Sequence, residues 1–123
     1  MMTAGDWSVV FYHDDSGSSP VREFLAGLEP RVQDSLLASI EILRVRNVHT
    51  REPLVKHLED KLWELRDQVR GNSYRLLYFF FTGRRIVFVH GFQKKTRKTP
   101  RRELELARTR ARRFLEREGG EAL

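Results

Sequence analysis

The chemistry that this sequence can support rests on arginines and lysines in its second half. Arg66 and Arg75 lie in stretches with strand character, and Lys94 and Lys95 follow another such stretch. Guanidinium and ammonium groups bind phosphate and stabilise the charge that develops on phosphorus when an RNA 2′-hydroxyl attacks it. Arg75 is the sharpest candidate, because an unpaired charge inside an apolar strand is costly. We predict that Arg66, Arg75 and Lys95 are catalytic.

A structural role is the alternative for both arginines. Arg75 can form an ion pair with Glu64 or Asp67 on a neighbouring strand. Arg66 is close to the same two acids in sequence, and such charges often only solvate an edge strand. The sequence leaves both alternatives open.

Two histidines are candidates for proton transfer or metal binding. His90 ends an apolar stretch beside the lysines, and its ordinary pKa suits proton transfer near neutral pH, although a hydrogen-bonded structural histidine is the other interpretation. We include His90 in the predicted catalytic set. His57 is expected to lie in a surface loop before the sheet. A metal site at His57 and Glu59 is discounted, because the chain has no cysteine and no second histidine at a ligand spacing. No metal site or cofactor is predicted.

Positive charge is concentrated between residues 84 and 113. Twelve Lys and Arg residues stand there against two acids, a balance of +10 in a chain whose net charge is +6. A concentrated basic patch is typical of nucleic-acid binding. The arginines of the last predicted helix can bind ribosomal RNA or form an ordinary exposed surface. Tyr74 and Tyr78 can stack a base, although core packing is the alternative. The predicted RNA-binding residues are Lys94, Arg97, Lys98, Tyr74 and Tyr78.

Length and composition predict one domain that spans residues 1–123. The absence of cysteine suits a cytoplasmic protein, and we expect that location. No signal peptide and no membrane span are expected, because the first residues lack a basic region and no apolar run approaches 18 residues. Residues 1–6 and 117–123 are expected to fray.

The pattern along the chain predicts an α+β fold. A strand at 7–12 precedes a short helix that Ser19 caps and Pro20 begins. A longer helix starts at Pro30, with one apolar face. Three strands at 62–66, 74–81 and 86–90 follow with short turns, which favours an antiparallel meander covered on both faces. Thr99 and Pro100 are expected to cap and begin the last helix. The apolar face of the longer helix is predicted to hold Val32, Leu36, Leu37, Ile40 and Leu43.

This β-α-α-β-β-β-α order resembles the RelE/ParE superfamily of type II toxins, and most closely its HigB-like, phage-related branch. Three segments carry the resemblance, together with Glu103 and Ala107: Leu62-Trp63-Glu64-Leu65-Arg66, Tyr74-Arg75-Leu76-Leu77-Tyr78 and the run from His90 to Pro100. The last segment, with Gly91-Phe92-Gln93-Lys94-Lys95, is long and specific. The resemblance covers about residues 6 to 115 and implies a RelE-like, microRNase-type fold with an antiparallel sheet packed by helices.

The resemblance also implies a function. It implies a toxin of a type II toxin–antitoxin system that inhibits translation and arrests growth by cleaving mRNA on the ribosome without a metal. It further implies a cognate antitoxin, often of helix-turn-helix type, and a toxin–antitoxin hetero-oligomer. One departure is that RelE-type members often carry lysines where this chain has Leu62 and Glu64. A lysine-based acid/base role on that strand therefore cannot be carried over.

Two other functions remain open at this stage. The same fold serves ParE-like gyrase inhibitors, and a basic domain of this size can also bind RNA or DNA without catalysis. The lysine-rich end of the last strand favours RNA.

Overall fold

Residues 6–123 are described by a computed structural model of α+β architecture. The element order confirms the predicted fold class, with one strand more than the sequence indicated. The elements in chain order are β1 (Ser8–Phe11), α1 (Pro20–Ala26), α2 (Pro30–Arg46), a 3-10 turn (Asn47–His49), β2 (Val55–Glu59), β3 (Leu62–Val69), β4 (Asn72–Phe81), β5 (Arg85–Lys94) and α3 (Arg101–Glu118).

The five strands form one mixed sheet in the order β1-β5-β4-β3-β2. Strands β2 to β5 form an antiparallel meander, whereas β1 pairs with β5 in parallel. Parallel strands require a long connection between them. Helices α1 and α2 provide that connection between β1 and the meander. The central strands β4 and β5 are buried along almost their whole length.

Side-chain alternation along β4 divides the hydrophobic core in two. Tyr74, Leu76, Tyr78 and Phe80 pack with α1 and α2 on one face. Residues Leu77, Phe79 and Phe81 pack with Ala107 and Phe114 of α3 on the other. Arg75 has the parity of Leu77 and therefore belongs to the α3 face, because alternate residues of a strand point to opposite faces.

Strand β2 was missed by the sequence analysis, which placed His57 in a loop before the sheet. The segment Val55–Glu59 pairs with β3 at the sheet edge, and His57 lies opposite Trp63. Lys56 and His57 are exposed there, and the absence of apolar alternation is typical of an edge strand. His57 Nε2 lies 2.6 Å from the carbonyl oxygen of Asp60, in the tight turn to β3.

The cap of α1 agrees with the prediction, whereas the buried face of α2 and the cap of α3 differ from it. Ser19 caps α1 and accepts a hydrogen bond from the backbone of Arg22, as expected. Leu37 was predicted to belong to the buried face of α2 but is 47% exposed. Thr99 does not cap α3, whose N-cap residue is Pro100, because its hydroxyl bonds to Glu64 instead.

The C-terminal segment is ordered against the sheet where fraying was expected. Helix α3 continues to Glu118, and Ala122 forms a β-bridge with Phe81. The backbone of Leu123 donates to the carbonyl oxygen of Phe80 at 2.8 Å. Residues 1–5, part of the other segment expected to fray, lie outside the described residues. None of the helices within 6–123 combines the length and apolarity needed to cross a bilayer.

Candidate functional site

Three cations and one carboxylate meet on the α3 face of the sheet, near the start of that helix. Glu64 and Arg66 come from β3, Arg75 from the adjacent β4, and Lys94 from the end of β5. Arg66 and Arg75 are directly opposite in the antiparallel register. Like charges opposite each other destabilise a sheet unless a counter-ion is present. We call Glu64, Arg66, Arg75 and Lys94 the cationic cluster.

Glu64 is the counter-ion at the centre of this cluster. Its Oε1 lies 3.0 Å from Nε of Arg75 and 3.6 Å from Nε of Arg66. Its Oε2 accepts a hydrogen bond of 2.7 Å from the hydroxyl of Thr99. The side chain is 1% exposed. One buried carboxylate therefore ties β3, β4 and the segment that leads into α3.

Arg75 is oriented by two different contacts. Its Nη1 donates to the carbonyl oxygen of Tyr74 at 3.0 Å. Its Nε is close to Glu64 but its N–H is not aligned for a hydrogen bond, so the contact is an ion pair. Burial lowers the pKa of Arg75, and Glu64 opposes that effect. An arginine remains charged despite such a shift, so the cluster keeps a fixed cation at its centre.

Lys94 is the lysine of the cluster, and its pKa is lowered. It is partly buried, and burial lowers the pKa of its ammonium group. Glu64 raises that pKa, whereas the positive charges of Arg75, Arg66 and Lys56 lower it further. A lysine with a lowered pKa is a better proton donor near neutral pH than an ordinary one. Lys94 is therefore a cation whose environment favours loss of its proton.

The cluster is open to a ligand from two sides. Arg66 and Arg75 line a cleft of about 300 Å³ together with Pro53 and Ser73. Lys94 and Lys95 line a second cleft of about 600 Å³, which also includes Ser73. Ser73 is common to both, so the two clefts adjoin at the start of β4. Guanidinium forks and ammonium groups match phosphate oxygens, so the basic side chains in these clefts are of the types that bind phosphate.

His90 is structural, which was the alternative interpretation of that residue. Nη1 of Arg110 donates to its Nδ1 at 2.8 Å, so Nε2 carries the hydrogen and donates to Oε1 of Glu103 at 2.7 Å. The ring is 8% exposed and stacks on Phe92. Burial lowers the pKa of His90, against the raising effect of Glu103. Both nitrogens are occupied, so the histidine predicted to be catalytic has no free group to offer.

Tyr74 and Tyr78 lie on the wrong face of the sheet for RNA stacking. They are 5% and 0% exposed and belong to the core against α1 and α2. The prediction that they contact RNA is therefore wrong in this structure. Burial also raises the pKa of Tyr78, whose hydroxyl has no partner among the described residues.

Lys95, Arg97 and Lys98 are exposed in the segment between β5 and α3. Lys95 and Arg97 line the same cleft as Lys94. Within residues 6–123 these three side chains form no ion pair with an acid. Their exposed positions suit contact with a polyanion. Among the described residues, no hydrogen bond or ion pair fixes the direction of the Lys95 side chain.

From the sequence, Glu64 was expected only as a possible partner of the two arginines, and Thr99 only as a helix cap. Parity along β3 was the signal that could have placed Glu64, because residues 64 and 66 share a face. The same parity excludes Asp67 as the partner of Arg75. Asp67 lies on the other face and accepts a hydrogen bond of 2.7 Å from Ser35 of α2.

Most of the sequence matches the model of a known protein family. Residues 23–112 match the model described as Phage derived protein Gp49-like (DUF891). The chain belongs to this family. The match extends from α1 into α3 and includes all of the cationic cluster. The Gp49-like family is related to RelE-like toxins in general, which agrees with the α+β fold. A search of curated proteins found no match.

Proposed function

We propose that this Gp49-like protein is the toxin of a type II toxin–antitoxin system and cleaves mRNA on the ribosome. The observation that carries the proposal is the convergence of Arg66, Arg75 and Lys94 around the buried Glu64. Three cations against one carboxylate leave excess positive charge for a phosphate at the surface. The proposed reaction, and the ribosome as the place where it occurs, are taken from the resemblance to the HigB-like branch.

The proposed reaction is cleavage by the RNA's own 2′-hydroxyl. Its oxygen attacks the adjacent phosphorus and its proton passes to water. The bond from phosphorus to the 5′-oxygen breaks, which leaves a 2′,3′-cyclic phosphate and a 5′-hydroxyl. Arg75 and Arg66 stabilise the charge on the phosphorane oxygens, and Lys94 protonates the leaving 5′-oxygen. We assign proton donation to Lys94 rather than to Lys95, which was predicted to be catalytic, because the pKa of Lys94 is lowered and the charge of Arg75 acts on it.

Glu64 is a positioning residue in this scheme. It is too buried to reach substrate, yet it holds the guanidinium of Arg75 at one place and angle. Fixed donors stabilise a transition state without the cost of reorganising at the moment of reaction. Lys95, Arg97 and Lys98 add contacts with the flanking RNA backbone.

The proposed partner is a cognate antitoxin of helix-turn-helix type, in a toxin–antitoxin hetero-oligomer in the cytoplasm. Its surface should be acidic where it covers the basic region of residues 84–113, because complementary charge steers association. Co-purification with the product of an adjacent reading frame tests this. Association that is equally fast at low and high salt would argue against charge steering.

Brief expression of the chain in cells, followed by primer extension on a reporter mRNA, tests the activity. Growth arrest with new mRNA 5′ ends inside translated frames supports the proposal. Growth arrest with intact mRNA and cleaved, gyrase-linked DNA would replace it with gyrase inhibition. RNA or DNA binding without arrest or cleavage would leave a binding module.

A further inference from the structure

A second group of arginines lies in a cleft on another flank of α3. The cleft, of about 490 Å³, lies between α3 and the loop at residues 13–19. Arg102, Arg110 and Arg113 line it, whereas Arg108 and Arg112 line a different cleft beside β2. Residues 102, 106, 109 and 113 fall on one stripe of the helix, as the helical period requires.

Arg110 brings a positive charge to this cleft that no carboxylate directly neutralises. Its Nη1 donates to the carbonyl oxygen of Val89 at 3.0 Å and to Nδ1 of His90. Both partners are neutral acceptors. Burial lowers the pKa of Arg110, and Tyr12, Asp14 and Glu103 oppose this only through charge. A partly buried cation with neutral partners favours an anion nearby.

The two exposed arginines of the cleft are also available. Within the described part of the chain, Arg102 and Arg113 form no hydrogen bond and no ion pair. Arg108, on a different flank of the same helix, is instead paired with Glu59. The basic side of this cleft is therefore not consumed by internal contacts.

The acids that line the cleft already have partners. Oδ1 of Asp14 accepts hydrogen bonds from the backbone of Ser16 and Ser18, at 2.9 and 3.0 Å. Glu105 forms an ion pair with Arg101 at 3.3 Å. Asp14 is thus held by its own loop and Glu105 lies beside Arg101, and three arginines outnumber two acids in the lining of the cleft.

We propose that this cleft is a second phosphate-binding site, which holds the backbone of single-stranded RNA outside the cationic cluster. The choice of RNA rests on the proposed function. Arginine forks bind phosphate oxygens in pairs. The aromatic side chain in the lining, Tyr12, is 2% exposed and offers no open ring for base stacking. The site therefore recognises backbone rather than sequence.

The two sites are close enough along the chain for one RNA strand to contact both. Thr99 bonds Glu64 in the cationic cluster, and Arg102 of the cleft follows three residues later. Three residues span at most about 11 Å even when fully extended. A strand that leaves the cluster can therefore pass the start of α3 and enter the cleft.

The test is the salt dependence of binding to a fluorescent 2′-O-methyl RNA 12-mer, measured by anisotropy. This RNA cannot be cleaved through a 2′-hydroxyl, so the result does not depend on the activity. The double variant R102A/R113A removes two charges from the cleft. R31A/R46A removes two exposed charges from α2 and serves as the matched control. Thermal melts verify that both variants fold.

We expect R102A/R113A to bind more weakly and to lower the slope of log K against log salt by about 1.4, the value for two contacts with a single strand. R31A/R46A should leave the slope unchanged. Equal changes in both variants would overturn the site, because only net charge would then matter. Unchanged RNA binding with lost binding of a poly-glutamate peptide would also overturn it, in favour of an acidic partner. Absence of mRNA cleavage by the wild type would refute the proposed function but would not change the difference in RNA binding between the two double variants.

Discussion

Nε of Arg75 lies 3.0 Å from Oε1 of Glu64, although the two residues are diagonal neighbours on adjacent strands. The residue directly opposite Arg75 is Arg66, and the one opposite Glu64 is Leu77. The carboxylate thus lies beside a pair of facing arginines and compensates both. An ion pair and a phosphate-binding role are compatible here, because two cations share one carboxylate and retain positive charge for a ligand.

Glu64→Gln is expected to destabilise the protein strongly. The change keeps the shape of the side chain but leaves Arg75 buried without its counter-ion. Removing one partner of a buried pair typically costs about 3–5 kcal/mol in the free energy of unfolding. Denaturant unfolding measures the change. Glu105→Gln is the matched control, because the Glu105–Arg101 pair is exposed and should matter little. Equal stability of Glu64→Gln and wild type would contradict the role of Glu64 as central counter-ion.

The cleavage rate is expected to fall on the alkaline side of its pH profile, at a pH below 10.5. Lys94 must be protonated to donate to the leaving oxygen, and burial places its pKa below that ordinary value. Deprotonation as the pH rises removes the donor, so the rate declines. Lys94→Arg keeps the charge but does not lose its proton, so the alkaline decline should disappear along with most of the activity. A wild-type decline that persists unchanged in Lys94→Arg would assign the donor to another group.

Acidification is expected to destabilise the fold through His90. Its pKa in the folded state is lower than the ordinary value of 6.5, with burial as the main cause. Between those two values the unfolded chain binds more protons, so stability rises with pH. The contribution is fully present above pH 6.5 and is lost as the pH falls through the folded-state value. Protonation also removes the acceptor that Arg110 uses.

Thermal melts at pH 7.5 and pH 5 test this dependence. The fall in Tm between them should be smaller in His90→Gln than in wild type. His49→Gln, at an exposed position, should behave like wild type. Identical pH dependence of all three proteins would show that His90 does not titrate in this range.

Gly91 has a steric reason to be glycine in the motif His90-Gly91-Phe92. A Cβ there would lie 2.6 Å from Cδ2 of Phe24 and 2.9 Å from Cδ2 of Leu76. Gly91→Ala is expected to lower the free energy of unfolding by about 1–3 kcal/mol, as overpacking does. Gly27→Ala is the control, because the contacts of its Cβ begin at an ordinary 3.6 Å. If Gly91→Ala and Gly27→Ala unfold at the same denaturant concentration, the packing of α1 against β5 does not require glycine at position 91.

Much of the architecture follows from local signals in the sequence. The proline starts of α1 and α2, the apolar strands β4 and β5 and the turn residues between them were sufficient for the fold class. Strand β2 was not predictable in this way, because edge position removes the apolar alternation that marks a strand. The parallel pairing of β1 with β5 is a long-range contact that no local pattern contains.

The candidate site was predictable in its residue types but not in its arrangement. Arg75 was found because a charge interrupts an apolar run. Tyr74, its neighbour, was misassigned because adjacent residues of a strand face opposite sides. His90 was misassigned because its two partners, Glu103 and Arg110, come from α3 and are not adjacent in sequence. Arg110 was expected either to bind ribosomal RNA or to belong to an ordinary exposed surface, whereas in the structure it donates to His90.

These contacts also change the most informative substitution in the site. Arg75→Ala would leave Glu64 buried without its nearest cation. Arg75→Lys keeps the positive charge while removing the guanidinium fork. Arg112→Lys is the matched control, since Arg112 is exposed on another flank of α3.

The assignment of the cationic cluster as the active site is tested by the rate at which purified protein cleaves mRNA on translating ribosomes. We expect cleavage inside the translated frame with 2′,3′-cyclic phosphate ends. The rate should be about 100- to 1000-fold lower for Arg75→Lys, the typical cost of losing one transition-state donor. Arg112→Lys should cleave like wild type. A folded Arg75→Lys protein that cleaves at the wild-type rate would contradict the assignment of the cationic cluster as the active site.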